Sequence, residues 1–177
     1  MKCVVLLLML AASLQSFAQQ AKPTPTLKSI LLEQLRTTHN EKDWFVSANI
    51  AIEGLTPDQA KWADGSGNHS IGQLTVHLIF WNRQQLAKMK GEPEAKYSGN
   101  NDETFNGFDA ANWSATVKQL DDVLTDLEKT VGTFDDARIN QWASNLAHIG
   151  THNAYHTGQI VDIRKRQGSW NPEKGVK

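Results

Sequence analysis

The chain has 177 residues, 40% of them hydrophobic and 21% charged, which allows one domain with a full core and leaves little room for two. Its formal net charge of -1 offers no electrostatic footprint for nucleic acid or for an anionic membrane. The single cysteine, Cys3, excludes a disulfide framework.

Met1 and Lys2 supply a short positive start, residues 4–10 are apolar, and Ser16-Phe17-Ala18 places small residues where a signal peptidase cleaves. Residues 1–18 therefore read as a signal peptide, and the protein is expected to be exported, periplasmic or secreted. An uncleaved anchor is the alternative, but the apolar run falls short of the ~20 residues that span a bilayer. No stable membrane insertion is expected after cleavage. Cys3 leaves with the peptide, so the mature chain has no thiol nucleophile and no sulfur ligand.

Residues 19–26, with Pro23 and Pro25, read as an extended leader, and residues 27–177 as a single all-α domain. A first helix is expected over 27–54. Leu27, Leu31, Leu35 and Thr38 form one stripe, Trp44, Ala48, Ala51 and Leu55 repeat at 4-3-4 spacing, and Gly54 and then Pro57 mark the end. Residues 56–69, rich in Gly, Asp and Asn, read as a loop.

Ser70 and Gln73 have capping-box spacing and open a second helix, with Leu74, His77, Leu78 and Trp81 facing inward. Gly91 to Pro93 closes it. Residues 94–111 read as irregular, and a connection this long is often functional. Trp113, Val117, Leu120, Leu124, Leu127 and Val131 mark a third, amphipathic helix with Asp, Lys and Glu on its other face. The fourth covers about 141–167, with Ile149, His152, His156, Ile160 and Ile163 as its stripe. Four helices with one apolar stripe each pack most simply as a four-helix bundle.

His152 and His156 project from one face a turn apart, and His77 lies on another inward stripe. Each buried imidazole needs partners for two ring nitrogens, which leaves two readings. The three are separate hydrogen-bonded core residues, or they share one divalent ion with a coordination position open. The zinc-protease pattern is missing, because Asn153 stands where it needs Glu. No histidine has Glu three residues before it, and no GxSxG or Walker loop occurs. Trp81 and Gln159 are candidates for a pocket wall or for support of a ligand, and His148 for an extra ligand a turn away. His39 and His69 read as exposed.

Ser70-Ile71-Gly72-Gln73-Leu74 leading to His77, and His152-Asn153-Ala154-Tyr155-His156-Thr157-Gly158-Gln159-Ile160, resemble the two metal-binding motifs of the DinB-like superfamily. The resemblance runs from about residue 27 to about residue 165. It implies an up-down-down-up bundle holding zinc or nickel through His77, His152 and His156. It further implies, for some members, transfer of a thiol of the bacillithiol type to a small electrophile. Many members form homodimers, which makes a second copy a candidate partner beside a small-molecule substrate or thiol. Export is a departure from the pattern, because the thiol pools of characterised members are cytoplasmic. A non-catalytic envelope protein, with the metal structural or carried, is the competing expectation.

Overall fold

The computed structural model describes residues 24–175, so the segment read as a signal peptide and most of the expected leader lie outside the described residues. Six α-helices and three short 3-10 turns occur among these residues, and no strand. Four helices are long: α1 (Leu27–His39), α4 (Ile71–Lys90), α5 (Trp113–Gly132) and α6 (Asp136–Arg166). Two are single turns, α2 (Ala48–Ile52) and α3 (Pro57–Lys61).

The first helix stops fifteen residues earlier than its stripe suggests. The Asn40 N–H still bonds Arg36 O, but Asn40 leaves the helical region at φ -143. The polar run Asn40 to Asp43 carries the chain outward, and Trp44 ends 94% exposed instead of on the stripe. Ala48, Ala51 and Leu55 are buried as expected, but from α2 and the turn after it. The stretch read as a loop contains α3, which opens at Pro57 behind a Thr56–Gln59 capping box.

The second expected helix is α4. Ser70 Oγ accepts the Gln73 N–H, the Gln73 side chain returns to the Ser70 N–H, and Gly91 closes the helix at φ 69. Helix α6 begins five residues earlier than expected, where Asp135 accepts the Arg138 N–H. At 31 residues it is about 46 Å long.

Side-chain contacts fix the directions. Helix α1 packs on α5 and α6, and α4 packs on the same two, so α1 and α4 stand on one diagonal. Along α4 and α6, Arg138 bonds Met89 O, Asn153 pairs with Asn82, and His152 meets His77, an antiparallel order. Arg83 bonds Gln119 at 3.0 Å, while Val76 shares a cleft with Asn112 and Met89 one with Asp126, so α4 and α5 run parallel. Lys28 Nζ donates to Gly132 O and Phe134 O at 2.8 and 2.7 Å, and Gln34 packs on Gly150, which sets α1 parallel to α6. The order is up-down-down-up. Leu78, Leu120, Leu127, Leu146 and Ile160 fill the space between the four helices.

Two polar clusters inside this shell escaped the sequence pattern. His39 is buried, not exposed: Nδ1 meets Glu128 Oε1 at 2.6 Å and Nε2 meets Asp121 Oδ1 at 2.9 Å. Arg164 is also buried. Its guanidinium donates to Ala51 O, Glu53 O and Ser169 O, satisfying the carbonyl end of α2.

Candidate metal centre

His77 leaves the middle of α4 and His152 and His156 leave successive turns of α6, where the antiparallel pairing brings the two helices level. One nitrogen from each ring lies within 4.8 Å of the other two. His77 Nε2 and His152 Nε2 are 3.1 Å apart, and the His156 ring stands edge-on to both others at 4.6 Å between centroids. His77 and His156 are buried; His152 is half-buried, less enclosed than its stripe implied.

Hydrogen bonds behind the rings decide which nitrogen faces inward. The Thr104 hydroxyl donates to Asn101 O at 2.6 Å, so at 2.6 Å it must accept the Nδ1–H of His77. His77 Nε2 is then the lone-pair nitrogen. His156 Nδ1–H donates to Gln159 Oε1 at 2.7 Å, which likewise leaves Nε2 bare. Burial, with the neighbouring histidines, pushes His77 down to about 3, and burial pushes His152 to about 4. His156 is lowered mainly by burial, against the opposing effect of Gln159. Neutral imidazoles presenting Nε2 lone pairs are the form that binds a metal.

These residues fit a divalent ion. Two nitrogens about 2.0–2.1 Å from one zinc in a tetrahedral site lie close to the His77–His152 spacing. That spacing is also a hydrogen-bond length, so a proton on His152 Nε2 competes with an ion for the same place.

The connection between α4 and α5 builds the rest. Its 3-10 turn, Asn101–Phe105, supplies Thr104 and sets Phe105 flat on His77, with centroids 3.9 Å apart and planes 5° apart. His69 stacks on the other face of Phe105 at 3.7 Å. It is half-buried and lines the cavity, not exposed as its loop position suggested. The turn is tied down where Trp81 Nε1 donates to Asn101 Oδ1 at 3.3 Å.

Above the histidines opens a cavity of about 730 Å³, the size of a small-molecule site. Trp81 forms part of its wall, and Gln159 both lines it and holds His156. His148 lines it from an exposed position but lies outside the three-nitrogen cluster. Beside the cavity, Asn82 and Asn153 exchange amide hydrogen bonds at 2.8 and 3.3 Å, clasping α4 to α6. Thr104, Phe105 and the asparagine pair had no periodic signal; an aromatic within a polar loop was the one available hint.

A family model described as the DinB superfamily matches residues 47–160, a span that includes all three histidines, Thr104 and Gln159. No curated protein and no solved structure matches the chain.

Proposed function

Because the chain belongs to the DinB superfamily, we propose that it is a metal-dependent enzyme of the thiol-transferase type, acting on a small molecule. The observation that carries this reading is the position of the three histidines, converging on the floor of an open 730 Å³ cavity and not inside a closed shell of ligands. Structural zinc sites fill all four positions with protein ligands, whereas catalytic sites keep one for the substrate.

His77, His152 and His156 would hold the ion, and imidazole donors suit zinc or nickel. When bound, the ion would supply Lewis acidity, lowering the pKa of a thiol or water at the open position. Thr104 and Gln159 keep the Nδ1 protons directed away from that position. Phe105 packs flat on the His77 ring, and Trp81 lines the cavity beside it. The only cysteine is Cys3, so the thiol is a separate molecule. We also read residues 1–18 as an export signal, which places both reactants outside the cytoplasm and predicts a mature start near Gln19, checked by N-terminal sequencing.

The competing reading gives the ion a structural or carrier role. Asn82–Asn153 and the Arg138–Met89 bond already clasp α4 to α6, which argues against an ion serving as the fastener. The test is metal content, followed by the visible spectrum of cobalt-loaded protein with and without thiols. An enzyme shows a thiol-dependent spectrum and stays folded after metal removal. A closed structural site shows no response to thiol and a sharp loss of thermal stability on removal.

A further inference from the structure

The cavity carries information about what enters it, and here the charge of its lining is decisive. Trp81 and Tyr155 offer ring surfaces, and Gln85, Asn101 and Asn145 offer carboxamides, while Asp102 is the carboxylate. Among the described residues, no lysine or arginine lines it. On α4 and α6, Arg83 bonds Gln119, Lys88 pairs with Glu94 at 3.3 Å, and Arg138 bonds Met89 O.

A carboxylate or phosphate entering a cavity loses hydration, which proteins replace with charge-assisted bonds from Arg or Lys. Away from the histidine floor the described lining has none to give, and Asp102 opposes a second negative charge there. A cationic group finds in Asp102 a partner, and an uncharged polar body finds the carboxamides and the aromatic faces.

Resting on the metal-enzyme reading above, we infer that the site takes uncharged or positively charged small molecules in preference to carboxylate- or phosphate-rich ones. The preference concerns the body of the molecule. A thiolate reaching the ion would be neutralised there.

Three small thiols test it on cobalt-loaded protein at pH 7 and low salt: cysteamine, 2-mercaptoethanol and mercaptosuccinate. Their affinities are read from the sulfur-to-cobalt absorption. The thiols differ in acidity, so the informative quantity is the cysteamine-to-mercaptosuccinate affinity ratio, compared between wild type and variants. Asp102 is exposed, so its replacement should leave the bundle folded, which a circular dichroism melt of each variant checks. Asp102→Asn should lower the ratio about threefold, and Asp102→Lys about tenfold, the scale of an exposed charge contact. A ratio that neither variant changes overturns the inference and leaves the metal-enzyme reading standing. A protein that binds no cobalt, or whose cobalt spectrum no thiol perturbs, overturns both.

Discussion

Replacing Thr104 by Val removes one hydroxyl and little volume. That hydroxyl accepts from His77 Nδ1 at 2.6 Å and donates to Asn101 O at 2.6 Å. Asn101 is exposed, so water can take over its carbonyl. His77 is buried, and its ring N–H is stranded, at a cost of about 1–3 kcal/mol to the metal-free fold. The ring can relieve this by moving its proton to Nε2, which then blocks the nitrogen an ion needs. Either way the ion binds a less prepared ligand, and losing such a supporting bond typically costs about 10–100-fold in metal affinity. Competition titration of zinc or nickel against a chromophoric chelator measures the loss, and Thr104→Ser should recover most of it. An affinity within twofold of wild type for Thr104→Val would refute the assigned tautomer and the role of the 3-10 turn.

His77→Ala or His156→Ala should abolish tight metal binding, measured by the same titration, while His148→Ala should leave it nearly intact. At Gly72 an added Cβ would lie 2.4 Å from the Phe108 ring, so Gly72→Ala should destabilise the protein by about 1–3 kcal/mol in urea unfolding; an unchanged midpoint would show that Phe108 moves aside freely. The folded pKa values of His77 and His152, about 3 and about 4, lie below the unfolded 6.5. The unfolded chain therefore binds more protons as pH falls below 6.5. Metal-free stability should be full above pH 6.5 and decline down to about 4 for His152 and about 3 for His77, with metal affinity falling in the same direction. Thermal melts by circular dichroism from pH 8 to 4 check this, and a flat profile would contradict the burial of the neutral rings.

The four long helices could be read from apolar spacing because each buries one stripe against its neighbours. The same logic failed at residues 40–47, where Trp44, Ala48, Ala51 and Leu55 keep a helical spacing although the chain leaves the helix at Asn40. Spacing records which residues are buried, not whether the backbone between them is continuous. His39 was misjudged because its partners, Asp121 and Glu128, sit on the polar side of α5. A charge drawn inward by a distant partner has no local signature. His77, His152 and His156 were recognisable as a group, since two share a helical face and the third lies on an inward stripe. Their support from Thr104 and Phe105 was not, because an irregular connection has no period from which to read orientation.

The topology also governs when the centre can exist. His77 and His152 meet across 75 residues of sequence, and in this order of helices α5 must be laid down before α6 returns beside α4. No fragment ending before α6 contains more than one of the three ligands. A three-histidine centre therefore requires α6 beside α4, and an ion held by all three would report that contact.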